Sequence, residues 1–466
     1  MENSVAGKKV LVVGAGESGL AAARLLGSLG AVVNITDQKS PQELEEAQAA
    51  APKEVRWLFG PQPLETYLGS DLIVISPGVP FNHDGLVAAR AQGIEVIGEL
   101  ELAFRHLNIP ILAVTGSNGK TTTTALTGEI LAKTLGRPQF VGGNIGNPLA
   151  NLALKAQRKK ETLPNWAVVE VSSFQLETVK YFRARAAAFL NLSQDHLDRH
   201  VDMAEYFRSK SQIFKNQGEN DWGILNEDDF VLAHKFVPGV RFGFSRRNRP
   251  AFGGWVNETQ GKVSLAVVKG NKILAQEPWS EFALEGAHNQ ENVLAAVGLA
   301  MAAGVEPGAA LQAAKDFAPG DHRLSLVGEC RGVRYYDDSK GTNVGAVIRA
   351  LESFPESIIL IAGGRDKGLD YSLLRPYVEK KVRAAFLIGE CREKMRLTLR
   401  GTTWIRLMNS MESAVDMASR VSKPGEVVLL SPACSSFDMF DNYKARGEAF
   451  AKAVRALIER EAREAS

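Results

Sequence analysis

The chain has 466 residues, 55 of them basic and 53 acidic, with no polybasic block. At roughly 150 residues per domain this length predicts three domains, and the balanced charge leaves nucleic-acid and membrane-surface binding unsupported. The first ten residues lack signal-peptide architecture, no apolar run approaches the ~20 residues of a membrane span, and three widely spaced cysteines (Cys330, Cys391, Cys434) form no zinc motif, so a cytoplasmic protein with free thiols is expected; a monomer is expected too, though no residue pattern sets the oligomeric state.

The first segment opens with an apolar strand, Lys9 to Val13, then Gly14-Ala15-Gly16-Glu17-Ser18-Gly19, a helix through Leu26, and a second strand from Ala31 to Thr36 ending at Asp37. Strand, G-x-G-x-x-G, helix, strand and acid is the order of a dinucleotide-type βαβ unit, whose glycines let a pyrophosphate approach a helix N-terminus. A further strand, Asp71 to Ile75, runs into the rigid loop Ser76-Pro77-Gly78-Val79-Pro80. The plain alternative is an α/β turn that binds nothing.

The second segment carries Thr115-Gly116-Ser117-Asn118-Gly119-Lys120-Thr121-Thr122 between a strand (Ile111 to Val114) and a helix running toward Leu135. Such a loop points backbone N–H groups at a nucleotide's phosphates, while Lys120 supplies charge and Thr121 offers a hydroxyl to Mg²⁺, so ATP is the expected ligand. The first glycine of G-x-x-x-x-G-K-[ST] falls at Val114, and Gly116 stands in its place, which makes this a shortened variant.

Ala167 to Val171 is a strand with Glu170 inside it, and Ala186 to Leu192 is another, leading into Ser193 to His200. If both flank the phosphate-loop strand, Glu170 and His196 emerge on the side of Lys120, because ligands bind beyond the carboxyl ends of parallel strands. A carboxylate in a buried strand is costly without a partner, which favours a metal role for Glu170. His196 alone reads equally as a hydrogen-bonded loop histidine. Lys210, on a helix from about Asp202 to Phe214, reads by itself as a solvated lysine.

The third segment begins near Gly320, after the Asp316 to Pro319 break. Strands at Val333 to Asp337, Ile358 to Ala362, Ala384 to Ile388 and Val427 to Leu430 alternate with helices, the last running from Asn442 to about Glu464. Polar or glycine-bearing loops follow three of them, at 338–343, 363–368 and 431–438. The expected fold is α/β with three domains. These are an N-terminal Rossmann-like domain (1–108), a central P-loop ATPase domain (109–319) and a C-terminal Rossmann-like domain (320–466).

The phosphate loop, Asp195-His196-Leu197-Asp198-Arg199-His200, Gly286-Ala287-His288-Asn289, Asp321-His322-Arg323, the run from Asp337 to Asn343 and that from Gly363 to Gly368 together resemble the ATP-dependent Mur ligases of peptidoglycan synthesis. Ser431 to Asp438, with Gly98-Glu99-Leu100-Glu101-Leu102, is similar to the branch that adds D-glutamate to UDP-N-acetylmuramoyl-L-alanine. The Asp-Asn-Pro-Arg signature of the diaminopimelate- and lysine-adding branches is not found in this sequence.

The resemblance implies an amide ligase working through an acyl phosphate. It implies a nucleotide site of Gly116, Ser117, Asn118, Gly119, Lys120, Thr121, Thr122, Asn289, Arg323 and Asp338. Lys120, Glu170, His196 and Lys210 would be catalytic, with magnesium held by Thr121, Glu170, His196 and a carbamylated Lys210. The UDP substrate would meet Ser18, Asp37, Gln38, Gly78, Asn144 and His196. Lys340, Thr342, Lys367, Ser436 and Phe437 would hold D-glutamate, whose two carboxylates want two lysines plus hydroxyl and N–H donors. Gln38-Lys39 stands where relatives often have Thr-Arg, and Tyr443 where phenylalanine is common.

Three other readings stay open on the residues alone. One is a different Mur-type or folylpolyglutamate-type amide ligase, separated by the substrate pocket and not by the ATP site. A nicotinamide-dependent oxidoreductase would use Gly14 to Gly19 and Asp37 but leaves the second phosphate loop unexplained. A P-loop switch protein would hydrolyse ATP without an acceptor.

Overall fold

The computed structural model describes residues 4–158, 161–197, 199–318, 320 and 322–464. Asp198 and Asp321, members of two of the motifs above, and Pro319 at the expected break lie outside the described residues. No helix among the described residues is long and apolar enough to cross a membrane.

Three sheets carry the fold. The first contains β1 (Lys9–Val13), β2 (Val32–Asp37), β3 (Arg56–Phe59), β4 (Leu72–Ile75) and β5 (Glu95–Gly98), in the order β3-β2-β1-β4-β5. All of its pairings are parallel. The order reverses at β1, and a crevice opens beyond the carboxyl ends of β1 and β4, as open α/β sheets require.

The second sheet holds β6 (Ile111–Thr115), β7 (Phe140–Gly143), β8 (Ala167–Glu170), β9 (Ala186–Phe189), β10 (Trp222–Asn226), β11 (Val240–Ser245), β12 (Phe252–Thr259), β13 (Lys262–Lys269) and β14 (Lys272–Pro278). Their order is β14-β13-β12-β11-β10-β9-β6-β8-β7. The phosphate-loop strand β6 therefore lies between β8 and β9, parallel to both, as the sequence suggested. The strands β12, β13 and β14 form an antiparallel extension.

The third sheet comprises β15 (Ser325–Cys330), β16 (Val333–Asp337), β17 (Ile358–Gly363), β18 (Val382–Ile388), β19 (Trp404–Leu407) and β20 (Val427–Leu430), in the order β15-β16-β20-β17-β18-β19. Only the β15–β16 pair is antiparallel. Apolar clusters fill both of its faces, one around Leu360, Leu429 and Leu387 and the other around Ile361, Phe386 and Phe450.

The chain groups into two compact units. Met1–Asn191, Ala204–Trp279 and Asn292–Ala314 form the first, with two sheets; Leu192–Met203, Ser280–Glu291 and Lys315–Ser466 form the second, with the third sheet. The helix expected over 202–214 runs from Met203 to Ser211 and tightens into a 3₁₀ turn over Gln212–Phe214. All three cysteines are free and buried, and folding brings the sulfurs of Cys391 and Cys434 to 2.8 Å, a proximity their spacing of 43 residues concealed.

Candidate active site

In the first unit the loop after β6 leads into the helix Lys120–Leu135, whose N-cap Gly119 has φ 83°. A Cβ at Gly119 would lie 2.3 Å from Asn292 Oδ1, so glycine serves both the left-handed backbone and the close approach. The N-terminus of this helix, the positive end of its dipole, suits an anion. Lys120 Nζ donates to the carbonyls of Gly116 and Ser117, each at 2.9 Å, which folds the lysine over its own loop. Ser117 and Thr122 are buried.

Two residues that the sequence reading missed pin this loop. Asn191, just beyond β9, accepts from Asn118 N–H at 2.9 Å and donates to its carbonyl at 3.0 Å. Asn292 accepts from Thr123 Oγ1 at 3.3 Å. The only sequence signal for Asn191 was its place at a carboxyl strand end.

Glu170, only 2 % exposed, ends β8. Its carboxylate accepts from Thr121 Oγ1 at 2.7 Å and from Asn144 Nδ2 at 3.0 Å, and Asn144 N–H also donates to the Glu170 carbonyl. Thr121, Asn144 and Glu170, predicted separately, thus form one cluster. Lys210 is 1 % exposed, contrary to the solvated lysine that its own helix suggested. Its Nζ donates to the Gly116 carbonyl at 2.9 Å and lies 4.6 Å from the Tyr206 ring centre. A buried ammonium against the phosphate loop is expensive unless it serves that loop.

The crevice of the first sheet is a cavity of about 580 Å³. Ser18, Asp37, Gln38 and Gly78 all line it, and so do Tyr67 and His83, which the sequence did not single out. Asp37 accepts from the backbone N–H of Ala15 at 2.8 Å and of Lys39 at 3.1 Å, so part of its carboxylate holds the glycine turn in shape. A Cβ at Gly19 would fall 1.9 Å from the Gly14 carbonyl, which makes this glycine obligatory for helix and strand to meet.

In the second unit, the 192–203 loop carries Asp195 and His196. Asp195 is 5 % exposed; it accepts from Asn343 Nδ2 at 3.0 Å and pairs with Lys367 Nζ at 3.3 Å. Thr342 Oγ1 lies 3.5 Å from the same Nζ, so Thr342 and Lys367 converge. Lys340 Nζ sits 5.1 Å over the Tyr443 ring. His196 has φ 56° and its Nε2 lies 3.6 Å from Asp195 Oδ2.

Burial pushes the Asp338 carboxyl up to about 7, against the opposing pull of a Ser431 hydroxyl at 2.7 Å and the Arg323 charge. Ser436 is buried, whereas Phe437 is 63 % exposed. Asn289 Nδ2 donates to the Glu285 carbonyl at 2.7 Å. Arg446, 1 % exposed and unnoticed in the sequence, donates to Ser339 Oγ, the Ser339 carbonyl and the Cys434 carbonyl at 3.0, 2.7 and 3.0 Å. It thereby ties the loop bearing Lys340 and Thr342 to the loop bearing Ser436.

Chemically, the first unit presents a phosphate cradle beside hard oxygen donors and a separate mixed-polarity cavity. The second presents lysines and hydroxyls suited to carboxylates.

Three family descriptions match the chain: the Mur ligase MurD-like N-terminal domain over residues 8–98, the Mur ligase middle domain over 114–300, and the Mur ligase glutamate ligase domain over 322–434. Relatives named UDP-N-acetylmuramoylalanine–D-glutamate ligase include one from Koribacter versatilis, 43 % identical and covering 98 % of this chain and 99 % of its own. Another, from Acidobacterium capsulatum, is 44 % identical over 97 % of this chain and 96 % of its own. Among solved structures, the UDP-N-acetylmuramate-alanine ligase of Thermotoga maritima shares the fold at a TM-score of 0.60 and 18 % identity, covering 96 % of this chain and 99 % of that one. The MurF ligase of Thermotoga maritima, solved in complex with ADP, has a TM-score of 0.61 at 15 % identity, with 93 % and 96 % covered.

Proposed function

Because the chain belongs to the Mur ligase family, we propose that it joins D-glutamate to UDP-N-acetylmuramoyl-L-alanine at the expense of ATP. The observation that carries this reading is the phosphate loop with Thr121 against the buried Glu170, within a chain alike over nearly its whole length to ligases of that name.

In this reading the L-alanyl carboxylate attacks the γ-phosphorus, the bond to the bridging oxygen breaks, and ADP leaves. The acyl phosphate is then attacked by the D-glutamate amine, which loses a proton as phosphate departs. Phosphoryl transfer of this kind needs alignment and charge neutralisation more than covalent help. The loop amides from Gly116 to Thr122 and Lys120 cradle the phosphates, while Asn289, Arg323 and Asp338 are assigned to the rest of the nucleotide. Ser18, Asp37, Gln38 and Gly78 take the UDP end, with Asn144 and His196 further along the same substrate. Lys340, Thr342, Lys367, Ser436 and Phe437 take D-glutamate. In that assignment the Asp195 carboxylate, paired with Lys367, occupies the partner that a substrate carboxylate would claim.

Magnesium suits the Thr121 and Glu170 pair, which offers a hydroxyl and a carboxylate oxygen, the hard donors that this ion takes while keeping waters and phosphate oxygens as its other ligands. Bound there, it would neutralise charge on the phosphates. His196 and a carbamylated Lys210 complete the assigned set; carbamylation adds carbon dioxide to the neutral amine with loss of one proton and turns a buried cation into a carboxylate-like donor. The protein acts as a monomer in the cytoplasm.

The test is phosphate release from Mg-ATP and UDP-N-acetylmuramoyl-L-alanine with D-glutamate, L-glutamate, L-lysine or meso-diaminopimelate offered separately. Release with D-glutamate alone is expected. Release with another amino acid would retain the ATP chemistry and move the substrate, and release with none would refute the ligase reading.

A further inference from the structure

The run Gly98-Glu99-Leu100-Glu101-Leu102 plays no part in the chemistry above, yet both of its carboxylates are buried, at 2 % and 0 % exposure. Glu101, on the helix Glu99–Arg105 that follows β5, accepts from three successive backbone N–H groups: Lys180 at 3.0 Å, Tyr181 at 3.0 and 3.1 Å, and Phe182 at 2.9 Å. Arg105 Nε donates to the same carboxylate at 2.8 Å and reaches Glu95 on β5 with both terminal nitrogens at 2.9 Å, while Lys180 Nζ meets Glu95 at 3.0 Å. The backbones come close as well: a Cβ on Gly98 would sit 2.4 Å from Thr178 Oγ1.

Glu99 makes a second stitch, accepting from Ala150 N–H at 2.5 Å in the first turn of the helix Leu149–Gln157. That helix packs against both Glu17–Ser28, the helix opened by the glycine turn, and Glu99–Arg105. Arg24 Nη1 reaches Asn151 Oδ1 at 3.3 Å.

Each stitch joins the first sheet to chain that lies just downstream of a site residue in the second. Ala150 follows the loop that carries Asn144, and residues 180–182 follow β8, its terminal Glu170 and the short helix Ser173–Leu176. An apolar seam would hold the two sheets together but let them slide, since hydrophobic contact is non-directional. Directed hydrogen bonds to backbone fix both distance and register: Glu101 gathers three N–H groups and Arg105, and Glu99 takes the Ala150 N–H through one oxygen while its other oxygen is buried without a partner.

We propose that Glu99 and Glu101 are positioning residues that hold the nucleotide cavity of the first sheet at a set separation from the Asn144–Glu170 cluster, so that one long substrate is gripped at both ends. This rests on the reading of that substrate as a UDP-sugar carrying a peptide carboxylate. Each end alone is bound within one sheet; only the complete substrate feels the separation between them.

The experiment is calorimetric binding to Glu101→Gln and Glu99→Gln in the full chain, with UDP alone, with ADP alone and with UDP-N-acetylmuramoyl-L-alanine. Removing the charge from the acceptor of three backbone N–H groups, as Glu101→Gln does, corresponds to about ten-fold in binding. The complete substrate is therefore expected to bind about ten-fold more weakly, with UDP and ADP within about two-fold of the parent. Unchanged binding of the complete substrate in both variants would overturn the proposal. So would a parallel loss of UDP or ADP affinity, which would mean damage to the pockets themselves. If the parent binds the complete substrate no better than UDP, the substrate reading fails, an outcome separate from failure of the clamp.

Discussion

Replacing Gly119 by alanine tests the phosphate loop with a single methyl group. Gly119 has φ 83°, and its new Cβ would stand 2.3 Å from Asn292 Oδ1, which accepts from Thr123. Left-handed backbone costs a non-glycine residue about 1–2 kcal/mol, and displacing the Asn292 amide forfeits a hydrogen bond worth about 1 kcal/mol. The loop relieves both by leaving the geometry that aims its N–H groups at phosphate, so binding ATP must restore about 2–3 kcal/mol, or on the order of 30- to 150-fold in affinity.

The other end of the same helix provides the control. Gly136, its C-cap at φ 70°, has nothing within 4 Å of a new Cβ, so Gly136→Ala should lower stability by about 1 kcal/mol without touching ATP. The assay is ATP titration of both variants at a temperature where both are folded, with melting temperatures alongside. The reasoning fails if Gly119→Ala binds ATP within about two-fold of the parent, or if Gly136→Ala weakens ATP as much.

Other outcomes are as specific. Lys120→Ala should abolish product formation, because it removes the charge that the loop holds over its own carbonyls; normal turnover would refute the assignment. Burial raises Glu99 from 4.5 to about 7, so the folded protein holds that proton more tightly than the unfolded chain, and stability should fall as pH rises from about 4.5 through 7 by about 3 kcal/mol from this group. Glu99→Gln should reduce that slope but not erase it, because Asp338 is raised to about 7 with the same sign; equal slopes in urea titrations of parent and variant would contradict this. Arg446→Ala strands three buried acceptors and should cost about 3 kcal/mol or more, with a raised KM for the amino acid. Arg446→Lys, lacking the planar fork, should rescue little of it, and full rescue in melting and KM would refute the geometric account.

Much of the site was legible because it sits at carboxyl ends of apolar strands with strong patterns. Ile111–Thr115, Ala167–Glu170 and Val427–Leu430 are almost wholly apolar, Val333–Asp337 sets Val333, Tyr335 and Tyr336 around one arginine, and each delivers a polar loop beyond its carboxyl end. The run from β10 to β14 was missed: Gly223 and Asn226 interrupt Trp222–Asn226, and β12 and β14 carry glycine, polar and charged residues that blunt the signal. Asn191 and Asn292 escaped because an asparagine pinning a loop announces itself only by contacts far away in sequence. Lys210 misled in the opposite sense, since a helix with polar neighbours suggests a wet lysine, and only tertiary packing turns that face inward. The exposure of Phe437 was hidden as well, because a motif position does not specify which way a ring faces.

The stitches at Glu99 and Glu101 also bear on how the chain acquires its shape. Every strand of the first sheet is encoded by residue 98, so that sheet can assemble while the rest is still being synthesised. The amides that receive Glu101 lie 79 to 81 residues further on, and the one that receives Glu99 lies 51 further on. Until those segments emerge, both carboxylates sit in water at the end of a finished domain, keeping its nascent docking face charged and soluble. Their desolvation is deferred to the step that supplies the compensating N–H groups, so the same two side chains that guard the unfinished surface close it once its partner arrives.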